Sequence, residues 1–256
     1  MKNDSILIPD GELYFEVHGT GDPILFVHGF SLDHRIWQPQ IEYFQNTNQA
    51  ICYDLRGFGK SSLPTHHYSH HEDVKTLLDY LETGKVHLVG LSLGGEVAID
   101  FSIVYPNQVK TLTLIDTSLG GYHSKVDWRV YAEELCIDQA KQNWLNHEVF
   151  KYSCSKPKIK KQLEQSIADY SGWHWLHHDF RTKLVPSAID RLSEITVPTQ
   201  IIVGQNDLDY YQSIAKVVHQ QIHNSFLTVL PHIGHLANIE NPQEINNLIN
   251  KHFQKL

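Results

Sequence analysis

The segment Gly90-Leu91-Ser92-Leu93-Gly94-Gly95 sets a serine among glycines, directly after the apolar run Val86–Val89 and before a helical pattern. A serine hydroxyl is a poor nucleophile unless it is exposed, oriented and next to a base. A sharp strand-to-helix turn lifts its oxygen above a sheet, and the crowded flanks of such a turn leave room for glycine alone. The helix start beyond it favours developing negative charge. Ser92 is therefore the expected nucleophile. Its base is expected late in the chain, in the loop after the last strand. Leu230-Pro231-His232-Ile233-Gly234-His235 is that loop, and His235 is preferred over His232 because Gly234 permits a tight path. An acid that fixes the imidazole tautomer should follow the penultimate strand. Asp207 comes directly after the run Gln200–Val203, with Asp209 and Asp116 as competitors.

Attack on a carbonyl creates an oxyanion that needs preplaced N–H donors. One is expected from the backbone of Leu93, the residue after the nucleophile. The second is expected from Phe30, in the loop Val27-His28-Gly29-Phe30 that follows another short apolar run. The Phe30 ring would then line the pocket. His28 reads as structural, its imidazole tying neighbouring loops together.

These residues need a scaffold that gathers strand ends. Ser5–Ile8 and Glu12–His18 read as two strands joined by the Asp10-Gly11 turn. Ile24–Val27, Ala50–Tyr53, Val86–Val89, Thr111–Ile115, Gln200–Val203 and Phe226–Leu230 are short continuous apolar runs, as expected of parallel strands buried on both faces. Helical patterns lie between them at His71–Leu81, Gly95–Tyr105, Tyr211–His219 and Gln243–Phe253. Alternation at this spacing predicts an α/β fold, a parallel sheet with helices on both faces. The rhythm breaks at residues 118–192, which hold helical patterns such as Val126–Leu135 and Ile159–Tyr170 but no strand-like run. A structureless loop of that length is rare. We therefore expect a helical insertion in one core domain formed by residues 1–117 and 193–256. Four of the five tryptophans, Trp128, Trp144, Trp173 and Trp175, fall in the insertion and are candidates to line a substrate cavity.

The composition narrows the function classes. The net charge is −8 and no basic stripe exists, which argues against a nucleic-acid partner. No apolar stretch approaches the ~20 residues of a membrane helix. The first residues lack the apolar core of a secretory signal. Cys52, Cys136 and Cys154 show no ligand spacing and read as free thiols, so a cytoplasmic location is expected. His66, His67, His70 and His71 crowd one segment, yet no cysteine or paired carboxylate completes a metal-ligand set; the segment reads as a polar loop entering a helix.

Four blocks together resemble the α/β-hydrolase superfamily: His28-Gly29-Phe30, Asp54-Leu55-Arg56-Gly57-Phe58-Gly59-Lys60-Ser61, Gly90–Gly94, and Gly234-His235 followed by Glu240-Asn241-Pro242. The chain order Ser, Asp, His is also that of this superfamily. The resemblance implies an eight-stranded, mostly parallel sheet with a helical cap inserted after the sixth strand. It points to the branch of small carboxylesterases, enol-lactonases, carbon–carbon bond hydrolases and haloperoxidase-like enzymes, acting on a small molecule without metal or organic cofactor. Asp54 and Arg56 read as internal ion pairing that supports their loop. Arg129, Arg181 and Lys183 read as surface charge, although basic residues facing the pocket would favour a more elaborate anionic substrate. Two rivals to ester hydrolysis stand: carbon–carbon cleavage or elimination by the same residues, and a non-catalytic receptor on the same scaffold.

Overall fold

The computed structural model describes residues 2–122 and 136–254. Eight strands form a single sheet in the order β1-β2-β4-β3-β5-β6-β7-β8. They are β1 (Lys2–Ile8), β2 (Gly11–His18), β3 (Asp22–Val27), β4 (Asn48–Tyr53), β5 (Val86–Leu91), β6 (Val109–Ile115), β7 (Thr199–Gly204) and β8 (Ser225–Leu230). β1 and β2 form the expected hairpin, and β2 also runs antiparallel to β4. Every pairing from β4 to β8 is parallel. The runs in β5 and β7 are buried throughout, as residues covered on both faces must be.

β8 departs from that expectation. It is an edge strand, and Phe226 and Val229 are 47% and 50% exposed. An apolar run does not distinguish an edge from a centre, because pairing partners are set by the rest of the chain.

Helices α1 (Gln38–Phe44), α2 (His70–Tyr80) and α3 (Leu93–Val104) connect the early parallel strands. α3 is apolar nearly all round and is the most enclosed of them, stopping before Pro106. Among the described residues between β6 and β7 there are four α-helices and no strand of the sheet: α4 (Ile137–Leu145), α5 (Lys151–Cys154), α6 (Pro157–Asp169) and α7 (Trp173–Leu176). The expected helix Val126–Leu135 lies outside the described residues. After β7 come α8 (Asp209–Gln221), α9 (Ala237–Glu240) and α10 (Pro242–Phe253). α10 begins with Pro242 in its first turn behind Asn241, whose side chain accepts from the Glu244 N–H. Among the described residues no helix is long and apolar enough to cross a membrane.

The parallel strands all point the same way, so the loops after β3, β5, β6, β7 and β8 converge on one edge. That is the edge where parallel sheets bind ligands.

Candidate active site

Ser92 follows β5 and precedes the first turn of α3, with φ 53° and ψ −115°. Such a conformation costs a non-glycine residue on the order of 1–3 kcal/mol. Packing holds it there. The Ser92 N–H donates to Ile115 O at 3.0 Å, and its carbonyl accepts from Gly95, Glu96 and Ser118. The flanking glycines are required by close approach: a Cβ on Gly94 would lie 2.1 Å from Val27 O, and one on Gly90 would lie 2.3 Å from Gly94 O.

His235, in the loop after β8, is buried, and its Nδ1 lies 2.8 Å from Asp207 Oδ2. Asp207 also accepts from the Leu208 N–H at 2.7 Å. The competitors are placed differently. Asp209 and His232 are exposed. Asp116 is buried behind the pair and uses both carboxylate oxygens as acceptors, from Gly204 N–H at 2.8 Å and Ala237 N–H at 3.2 Å. Burial, with the Asp207 carboxylate beside it, pushes the Asp116 carboxyl well above the usual range. Asp116 therefore fastens the end of β7 to the chain after His235.

Ser92, His235, Phe30 and Leu93 all line one cavity of about 780 Å³. The Phe30 and Leu93 backbone N–H groups donate to no acceptor among the described residues. His28 explains how the Phe30 N–H is aimed. The Leu55 N–H donates to His28 Nε2 at 3.0 Å, so the ring proton sits on Nδ1 and is donated to Gly29 O at 2.8 Å. Complete burial favours this neutral imidazole. A planar trans peptide then turns the Phe30 N–H away from the Gly29 carbonyl.

The Phe30 ring is the hub of an aromatic box, meeting Phe58, Trp144, Tyr170, His174 and Trp175. Trp144 and Trp175 line the cavity. Trp173 does not: it is buried against His177 and Phe180. Trp128 and Arg129 lie outside the described residues. Sequence reasoning missed Tyr211, whose ring lies 4.1 Å from that of His235 and whose hydroxyl stands beside those of Ser92 and Ser118. Its place in the first turn of α8, four residues after Asp207, was the available signal.

The Asp54–Ser61 block supports loops through partners outside itself. Asp54 accepts from the His34 N–H at 2.7 Å and meets His34 Nδ1 at 2.8 Å. Arg56 pairs with Asp73. The four clustered histidines diverge: His66 faces Asp10, His67 faces Phe180 O, His71 faces Glu72, and His70 is buried at the cavity wall. Among the described residues none of the four joins a group that could hold a metal. The surface-charge reading fails for Arg181, whose side chain is 19% exposed and lines the cavity.

The alpha/beta hydrolase family profile matches residues 24–248. The chain belongs to the alpha/beta hydrolase family. It is 30% identical over 209 residues to a pimeloyl-[acyl-carrier protein] methyl ester esterase of Legionella pneumophila, covering 76% of this chain and 80% of that protein. It is 25% identical over 259 residues to 3-oxoadipate enol-lactonase 2 of Acinetobacter baylyi, covering 96% and 94%. The solved structure of a thermophilic esterase from Thermogutta terrifontis, with malate bound, superposes with a TM-score of 0.85 at 27% identity, covering 100% of this chain and 99% of that one. The relatives carry esterase and enol-lactonase names, the branch to which the four sequence blocks point.

Proposed function

We propose that this protein hydrolyses a small carboxylic ester, thioester or lactone through an acyl-enzyme on Ser92. The observation that carries the reading is the buried His235–Asp207 pair at 2.8 Å on the same cavity as a serine held at positive φ. Ser92 Oγ attacks the carbonyl carbon, and its proton passes to His235 Nε2. Asp207 keeps the other ring proton on Nδ1 and stabilises the imidazolium. The Phe30 and Leu93 N–H groups hold the oxyanion. The tetrahedral centre collapses, the C–O (or C–S) bond breaks, and His235 gives its proton to the leaving group. Water, deprotonated by His235, then attacks the acyl carbon and restores Ser92. No metal or organic cofactor enters these steps. Residues 118–192 act as a cap, and its aromatic lining with Phe30 favours an apolar acyl or alcohol portion.

The test is a chain-length series of p-nitrophenyl esters with wild type and Ser92→Ala. We expect short esters to turn over and the variant to lose at least about 10⁴-fold in kcat. The rate should also fall toward acid pH, because the imidazole must be neutral to accept the serine proton. Equal rates in the two proteins, or a flat acid limb, would sink the mechanism. A second reading, carbon–carbon cleavage by the same residues, is favoured by the half-buried Arg181 at the cavity wall. It predicts a folded enzyme inert on every simple ester.

A further inference from the structure

Arg181 returns from the helical insertion to the core beside Tyr68, to which it forms a parallel bridge. Its backbone is fixed on both sides. The Thr182 N–H donates to Tyr68 O at 2.7 Å, and the Arg181 N–H donates to Asp179 Oδ1 at 2.9 Å. Tyr68 Oη donates to the same Asp179 oxygen at 2.9 Å. The guanidinium is thus delivered to the cavity wall by a rigid support.

Its hydrogen bonding is unspent. The closest carboxylates are Glu96 Oε1, 3.4 Å from Nη1, and Asp179 Oδ2, 3.8 Å from Nε. Both are ion-pair contacts, and among the described residues the guanidinium makes no hydrogen bond of proper geometry; Nε is buried without a partner. A guanidinium carries five N–H donors, and buried donors are nearly always satisfied. Lys183 lines the same wall and adds three more. The formal charges of Arg181 and Lys183 are matched by Glu96 and Asp179, and the nearby Asp100 adds a carboxyl that burial pushes up to about 7, so bulk attraction is not what this wall offers. Donors in excess of acceptors are, arranged in the planar fork that fits a carboxylate.

The wall is close to the nucleophile. Glu96 lies four residues after Ser92 on α3, about one helical turn or ~5.4 Å along the axis. A group bound at Arg181 is then a short chain away from a carbonyl at Ser92.

We infer that Arg181, assisted by Lys183, binds a carboxylate carried by the substrate, so that the preferred substrates are ester or lactone derivatives of short dicarboxylic acids. This rests on the ester-hydrolysis reading above. It adds the substrate class, and the Glu96 and Asp179 contacts hold the guanidinium in place until the carboxylate arrives.

The experiment compares monomethyl esters of succinate through suberate with methyl esters of the same acids whose free end is a carboxamide. The two series share size and scissile bond and differ in charge. Wild type should prefer the acid by about tenfold or more in kcat/KM at its best length, equivalent to ~1.4 kcal/mol. Arg181→Gln should lower that preference about tenfold. The exposed Lys183→Gln, which tests the wall even if Arg181→Gln does not fold, should lower it by about two- to threefold. Equal rates for acid and amide in wild type, or a preference that survives Arg181→Gln, overturn the inference while leaving ester hydrolysis standing. If wild type cleaves neither series, the hydrolysis reading fails. The carboxylate site is then decided by titrating glutarate against the fluorescence of Trp144 and Trp175. Saturable quenching that weakens in Lys183→Gln supports it, and no saturable change refutes it.

Discussion

Glu240 works on both sides of His235. Its carboxylate accepts the Gly234 N–H at 2.8 Å and the Leu236 N–H at 3.3 Å, and it also takes the Ser153 hydroxyl from α5. Lys156 Nζ stands 3.8 Å away. The imidazole is thus set by a buried carboxylate that grips the peptide before it and the peptide after it. Charge-assisted hydrogen bonds of this kind contribute roughly 1.5–3 kcal/mol each. Glu240→Gln turns one acceptor into a donor facing an N–H. We expect kcat to fall by about 10–100-fold, with KM changed far less, because a misplaced base costs rate more than binding. Ser153→Ala removes only the tie to α5 and should cost much less. Steady-state kinetics of the two variants decide it: equal losses would mean that Glu240 acts through the insertion and not on the loop. At this scale the sequence was most legible where chemistry is local. Ser92, Asp207 and His235 each follow a strand within a few residues, so strand ends and glycines locate them. Asp116, Tyr211 and Arg181 acquire their places through residues 85 or more positions away, or through a helix face, and nothing in their neighbourhoods announces it.

The short helix α7 shows what one turn can contribute. Trp173 and Trp175 are both buried, yet they face different neighbours, and a helix this short has no periodicity to say which one meets the cavity. Between them His174 stacks on Phe58 with ring centroids 4.4 Å apart. Tyr170 Oη accepts from the His174 backbone N–H at 3.2 Å and lies 2.9 Å from His174 Nδ1. Burial pushes the His174 pKa down to about 4, so the ring is neutral near pH 7. Gly57, with φ +90°, leaves the space: a Cβ there would lie 2.6 Å from His174 Cε1. The depressed value fixes the sign of the pH effect. Between about pH 6.5 and about 4 the unfolded chain binds a proton that the folded one refuses, so stability is full above that window and falls as the pH drops through it. The loss amounts to at most ~3 kcal/mol for this group. His174→Phe should lower stability near neutrality but flatten its decline across that window in denaturant titrations. A decline as steep as that of wild type would assign the acid sensitivity to other groups.

Across the whole molecule, the insertion and the sheet are fastened at several independent points. Phe30 from the β3 loop packs into rings from α4 and α7. Trp144 Nε1 donates to Ser31 Oγ at 2.6 Å, Arg35 reaches Asp169 at 2.8 Å, and Ser153 donates to Glu240. The exposed Arg35–Asp169 pair contributes little. The aromatic contacts contribute most: a fully buried phenylalanine is typically worth about 3–5 kcal/mol when truncated to alanine, and the partly buried Phe30 correspondingly less. Helices tied to a sheet this way should melt with it and not before it. Tryptophan fluorescence reports mainly on the insertion, because only Trp37 of the five lies outside residues 118–192. Far-UV circular dichroism reports on the sheet and helices together. We expect the two signals to trace one coincident denaturant transition in wild type. In Phe30→Ala, which removes the hub while leaving the sheet core intact, fluorescence should change at lower denaturant than dichroism. A wild type that already separates the two curves would show that the insertion opens on its own, and that the cavity beneath it is assembled only part of the time.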